Sequence, residues 1–190
     1  MAEYRLTTPL DEAQVMALRA GDVVWVDGHI FGLRDATLIR MFDQGVPVPT
    51  DLTGAICLHT APGVRQVGDR FVKVSIGTTT STRMNRFTGP LLQLGVRAIA
   101  GKGGLLEDAT RLLQQYRGVY LGLVGGTAAA ETTQIEEIEA VWWTDLMPEC
   151  LWKFRVKDFG PLIVGIDAYG NNLYLQTKAE ALRRVQALGY

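Results

Sequence analysis

The order of its short apolar runs constrains this chain most. From Gly77 onward, runs with strand character alternate with segments of helical period: Val96 to Ala100, a helix over Leu105 to Tyr116, then Val119 to Val124. This β-α alternation predicts an α/β layered domain. Upstream, Pro9 at the first helical position and Asp11 at the third open a short helix that stops at Gly21. Asp22 to Val26 predicts a buried strand, Asp27-Gly28 a turn, and His29 to Gly32 a second strand. A helix follows over Arg34 to Gln44, ending at Gly45. After the loop Val46 to Thr50, strands are predicted at Ala55 to His59 and Phe71 to Ile76.

Downstream, Thr133 and Glu136 make a capping box that predicts a helix beginning near Thr133. It would bury Ile135, Ile138 and Val141 and leave Glu136, Glu137 and Glu139 as a solvated face rather than a catalytic carboxylate cluster. Strands at Leu151 to Val156 and Leu162 to Ile166 flank Asp158-Phe159-Gly160-Pro161. Tyr169 to Asn172 is a turn, Leu173-Tyr174 a last short strand, and Lys178 to Leu188 an exposed helix. No repeat or linker interrupts the pattern, so residues 1–190 are expected to form one domain.

Composition narrows the function classes. Lys and Arg (19) nearly balance Asp and Glu (20), so no global field favours nucleic acid or an anionic membrane, and anion binding must be local. No stretch approaches the roughly 20 apolar residues of a spanning helix, and the start lacks a secretory pattern, so a cytoplasmic protein is expected. Cys57 and Cys150 read as buried thiols; two cysteines cannot ligate a zinc ion or a four-iron cluster alone, since such sites take about four ligands. No metal site is expected in this chain. His29 and His59 fit no nucleophilic triad and read as structural.

Three segments at strand ends suggest anion chemistry. In Ser75-Ile76-Gly77-Thr78-Thr79-Thr80-Ser81-Thr82-Arg83-Met84, a strand runs into glycine, five hydroxyl residues and an arginine. At a strand-to-helix turn, unpaired N–H groups, hydroxyls and the helix dipole converge on one point, and the planar fork of Arg83 matches a carboxylate. Read alone, the segment fits a Thr-rich helix cap equally well. Gly101-Lys102-Gly103-Gly104 lets backbone approach a ligand beside a point charge, although it also fits a plain turn with an exposed lysine. Arg34-Asp35 stands where a strand gives way to a helix; Asp35 would cap that helix and Arg34 would face a cleft, unless the two form only a surface ion pair. Together the three segments suit a small dicarboxylate, which needs several cations and donors around one cavity.

In this order, the three segments resemble the beta-type family of iron-sulfur hydro-lyases, which takes in the small subunits of L(+)-tartrate dehydratase and the carboxy-terminal domains of class I fumarases. The similarity continues through Gly125-Gly126, Ile135 to Glu139, Met147-Pro148-Glu149, Lys157 to Val164 and Asp167 to Asn172. It covers nearly the whole chain. Phe159 to Val164 and Gly170 to Asn172 lean toward the tartrate branch.

The resemblance implies a swivelling three-layer β/β/α domain and reversible loss of water from a hydroxy-dicarboxylate. It also implies an alpha subunit, in a heterodimer or heterotetramer, that holds the 4Fe-4S cluster and completes the active site in the cleft between subunits. Carried over by position, Thr79 matches the proposed base, and Arg34, Arg83 and Lys102 match the substrate-binding cations, with Thr80 as a hydroxyl donor. The chain departs from the family at Thr78, where proline is usual, and at Leu38, where histidine is frequent. A fumarase subunit and a non-catalytic carboxylate-binding module are the competing expectations.

Overall fold

The computed structural model describes residues 1–189. Its elements in chain order are β1 (Glu3–Thr7), α1 (Glu12–Ala17), β2 (Val23–Leu33), α2 (Asp35–Leu38, continued by a π turn, Ile39–Asp43), β3 (Ile56–His59), β4 (Gly63–Val67) and β5 (Arg70–Ser75). A 3-10 helix (Ser81–Phe87) leads into α3 (Thr88–Gln93). Then come β6 (Ala98–Gly101), α4 (Glu107–Tyr116), β7 (Val119–Gly122), α5 (Ala128–Gln134), β8 (Ile135–Trp142), β9 (Leu151–Ile166) and α6 (Leu173–Ala187).

Seven strands form one mixed sheet in the order β1-β2-β3-β6-β7-β9-β8, while β4 and β5 make a separate hairpin. The pairs β1–β2, β2–β3, β3–β6 and β6–β7 are parallel. Strand β9 runs antiparallel to β7, to β8 and also to β2. That extra pairing joins β2 back to β9, so β2, β3, β6, β7 and β9 close on themselves. The α/β class follows from this arrangement.

Closure explains why β3, β6 and β7 are short and, apart from His59, apolar: every residue in them is buried. Alternate side chains serve two cores. Ile56, Leu58, Ala98, Ala100, Val119 and Leu121 meet Val24, Ile30, Trp152, Phe154 and Val164. Cys57, Ile99 and Tyr120 face the other way, onto Leu91 and Leu92 of α3 and Ala109 and Leu113 of α4. Fully burying each large aliphatic side chain contributes roughly 1.5–3 kcal/mol. The two cores therefore hold the strand ends as a rigid edge.

Several elements differ from the sequence expectation. Asp11 caps α1 rather than standing third within it: its side chain accepts from Gln14 N at 2.7 Å, and its N–H donates to Gln14 Oε1 at 2.9 Å. Asp27-Gly28 is a bulge inside the continuous strand β2, with Gly28 at φ 102° and a register shift against β9. The Asp158-Phe159-Gly160-Pro161 stretch is likewise a kink within β9 rather than a break. Residues 135–142 form a strand where a helix was expected. Leu173-Tyr174 opens α6 because Asn172 caps it, accepting from Tyr174 N at 3.0 Å. The strands β1 and β4 were not anticipated.

Candidate functional site

Strands β2, β3 and β6 are parallel neighbours, so they end on one edge of the sheet. Arg34 follows the last residue of β2, Thr60 follows β3 and Lys102 follows β6. The segment from Gly77 to Ser81 crosses the ends of β3 and β6 as a further extended strip. Thr78 bridges Thr60, and Thr80 bridges Lys102. Thr79 N donates to His59 O at 2.8 Å, Lys102 N to Thr79 O at 3.2 Å and Ser81 N to Lys102 O at 2.9 Å. Thr60 ties the strip back to β2, its N–H donating to Leu33 O at 3.1 Å. The sequence folds this way because buried Ile76 anchors one end and buried Ser81 and Met84 anchor the other. Thr79 is left half-buried and Thr80 exposed along the rim.

Arg34 and Arg83 meet at a shared carboxylate. Arg34 Nε lies 3.1 Å from Asp35 Oδ2 and 3.3 Å from Glu149 Oε1, and Arg83 Nη2 lies 3.2 Å from the same Asp35 oxygen. Asp35 does not cap α2 as expected. Glu149 does so instead, its Oε2 accepting from Ala36 N at 2.8 Å. Each guanidinium has five N–H donors, so these contacts fix the forks while leaving donors for a ligand. Lys102 is the third cation of the edge; its stem runs along the backbone at Gly125, where an added Cβ would lie 3.4 Å from Lys102 Cδ. Of the five residues singled out from sequence, Arg34 and Lys102 follow strands β2 and β6, Thr79 and Thr80 lie on the crossing strip, and Arg83 lies in the 3-10 helix beyond it.

Four residues of this edge carried no functional expectation. Asp35 and Glu149 orient the arginines. Glu131 of α5 is 4% exposed and accepts from the Thr127 hydroxyl at 2.5 Å, with its second oxygen unpaired among the described residues. Burial raises its pKa, against the opposing pull of the Thr127 hydroxyl, the Thr78 N–H and the charge of Lys102. An isolated glutamate in Ala128-Ala129-Ala130-Glu131 was the only sequence signal. The fourth is His59, 1% exposed, whose Nδ1 lies 2.9 Å from Ser81 Oγ. Burial pushes its pKa down to about 4, a nearby Asp35 charge acting weakly the other way, so the imidazole is neutral at physiological pH.

A groove of about 650 Å³ between β5 and β8 is a poorer site for a dianion. Its walls carry Asp69, Glu136, Glu137 and Glu139 against Arg70 and Lys73. Carboxylates there would repel a dicarboxylate.

The donor set does not suit a metal cluster. Cys57 and Cys150 are both buried and free, and no group of three or more His, Cys, Asp or Glu side chains that could hold a metal occurs among the described residues. None of their helices is long and apolar enough to cross a membrane. Of the two departures noted above, Leu38 is fully buried in the helix-side core and faces away from solvent. At Thr78, the bridge to Thr60 supplies the restraint that a proline ring would otherwise give.

The sequence matches the family described as Fumarase C-terminus over residues 2–177. The L(+)-tartrate dehydratase subunit beta of Escherichia coli K12 is 42% identical over 175 residues, which cover 91% of this chain and 87% of that protein. A putative L(+)-tartrate dehydratase subunit beta of Methanocaldococcus jannaschii is 35% identical over 185 residues, 94% of this chain and 95% of that one. A putative class I fumarate hydratase of Geobacillus stearothermophilus is 35% identical over 184 residues; these cover 95% of this chain but only 35% of that protein.

Proposed function

The chain belongs to the Fumarase C-terminus family, and on that premise we propose that it is the beta subunit of a hydro-lyase that dehydrates a small hydroxy-dicarboxylate, L(+)-tartrate, to oxaloacetate. One observation carries the reading: a single strip of backbone crosses the ends of β3 and β6, carrying Thr79 past Lys102, while Arg83 just beyond it meets Arg34 at Asp35. Arg34 and Arg83 bind one carboxylate through their free donors, Lys102 neutralises the other, and Thr80 donates a hydroxyl. Such clamping converts binding energy into orientation at the reacting carbon.

In this reading Thr79 removes the proton from the carbon beside a carboxylate. A threonine hydroxyl is a poor base unless neighbouring positive charge favours its alkoxide, and Arg83 and Lys102 supply that charge. The cluster that the family implies lies outside this chain, in a cytoplasmic alpha subunit whose docking closes the edge into a cleft. A swivelling β/β/α architecture accords with the two cores on opposite faces of the curled sheet. A heterodimer or heterotetramer would result. The Geobacillus relative favours a second substrate, malate in the fumarase direction.

The test is to reconstitute the chain anaerobically with its cluster-bearing partner and supply L-tartrate and malate separately. Faster formation of oxaloacetate from L-tartrate is expected. Preferential turnover of malate would make the chain a fumarase subunit, and binding of dicarboxylates without turnover of either would make it a non-catalytic module.

A further inference from the structure

The expectation that both histidines are structural fits His29, which pairs with Glu139 at 3.0 Å on the surface. His59 differs. Its two polar ends grip the strip on which the site is built. Its carbonyl oxygen accepts from Thr79 N at 2.8 Å, and its Nδ1 meets Ser81 Oγ at 2.9 Å. Tyr120 of β7 donates to the same serine oxygen at 2.9 Å. The Ser81 hydroxyl both accepts and donates, so it bonds Nδ1 in either tautomer of the ring. The other ring nitrogen, Nε2, is buried and has no partner among the described residues.

A histidine kept for stability alone is expected to satisfy both nitrogens, because an unpaired buried nitrogen forfeits its solvation with no return. Here half the hydrogen-bonding capacity is unmet, and the other half goes to the site strip. We propose that His59 is a positioning residue whose imidazole, through Ser81 and Tyr120, fixes the Thr79–Ser81 strip over the ends of β3 and β6. Ser81 N in turn holds Lys102 O at 2.9 Å, and Lys102 N holds Thr79 O at 3.2 Å. Removing the imidazole loosens one end of a closed ring of hydrogen bonds. The threonine and the lysine therefore move together. Depressed basicity keeps the ring uncharged, so it adds no cation beside those of the edge.

The inference rests on the proposed hydro-lyase only for what Thr79 does, so its test has two readouts. In the full chain, His59→Leu should speed amide hydrogen exchange at Thr79, Ser81 and Lys102 by about tenfold or more while leaving the β8–β9 amides unchanged. His59→Asn, which restores an acceptor near the Nδ1 position, should bring exchange back to within about threefold of wild type. In the reconstituted enzyme, His59→Leu should lower kcat by about tenfold or more with KM little changed, and His59→Asn should recover most of it. Unchanged exchange at those amides in a folded His59→Leu chain would overturn the proposal whatever the activity. Faster exchange throughout the chain, or equal losses with leucine and asparagine, would reduce His59 to a core residue and overturn it too. If the wild-type pair proves inactive, the exchange result still decides the role of His59.

Discussion

Gly101→Ala should disable the site strip from below. An added Cβ would lie 2.0 Å from Ser81 Oγ, whereas ordinary contact begins at 3.4 Å. The hydroxyl must therefore retreat by more than 1 Å. Such a shift breaks its two 2.9 Å contacts, to His59 Nδ1 and from the Tyr120 hydroxyl. Each lost bond costs about 1 kcal/mol, and each buried group left unpaired adds roughly 1–3 kcal/mol. A loss of about 2–5 kcal/mol of stability is expected. Ser81→Ala breaks the same two bonds without any clash, so it should cost a similar amount. In the double variant there is no hydroxyl for the new methyl to strike, so its stability should match that of Ser81→Ala rather than fall by the sum of the two. Urea unfolding of the four chains measures this directly, the coupling being the departure from additivity. Additive losses to within about 0.5 kcal/mol would refute the contact on which the reasoning depends.

Three further outcomes follow from the same geometry. Thr79→Val keeps the shape and removes the hydroxyl, so in the reconstituted enzyme KM should hold while kcat falls by at least about a hundredfold; equal turnover would end its candidacy as base. An unfolded histidine takes up a proton below its ordinary value of 6.5, whereas buried His59 stays neutral to about 4. The unfolded state thus binds more protons in this window, and as pH falls through it His59 should withdraw stability on the order of 3 kcal/mol. His59→Asn should remove that component, and identical pH profiles for the two chains would contradict it. Burial pushes the Cys57 thiol up to about 12, so in the native chain at pH 8 iodoacetamide should alkylate it at least about a hundredfold more slowly than in urea, as mass spectrometry would read.

The strand ends were legible because glycine, hydroxyl and basic residues directly after apolar runs have few structural uses together. What the sequence hid was long-range pairing. Ile135, Ile138 and Val141 do point inward, toward the core that holds Trp152 and Phe154. Their spacing of three mimics a helix because β8 has bulges between Ile135 and Glu137 and between Ile138 and Ala140. Each bulge adds a residue and stretches the strand period from two to three. The same cause hid the continuity of β2 and β9, where Gly28 and the Asp158–Pro161 stretch looked like turns. Glu149 became a partner of Arg34, and Asp35 a partner of Arg83 48 positions away, only through the fold. Ser81 seemed one hydroxyl among five until Gly101 made room for it.

The most direct measurement is equilibrium binding of a non-reacting dicarboxylate, succinate, to the reconstituted complex, by calorimetry on wild type and on Arg34→Ala, Arg83→Ala and Lys102→Ala. Loss of a desolvated charge partner costs about 2–5 kcal/mol, so each variant should bind at least about tenfold more weakly while retaining its fold. Double variants should lose less than the sum of the singles, because the three cations act on one ligand. Unchanged affinity in any of these single variants, with the fold intact, would contradict a shared pocket at the strand ends.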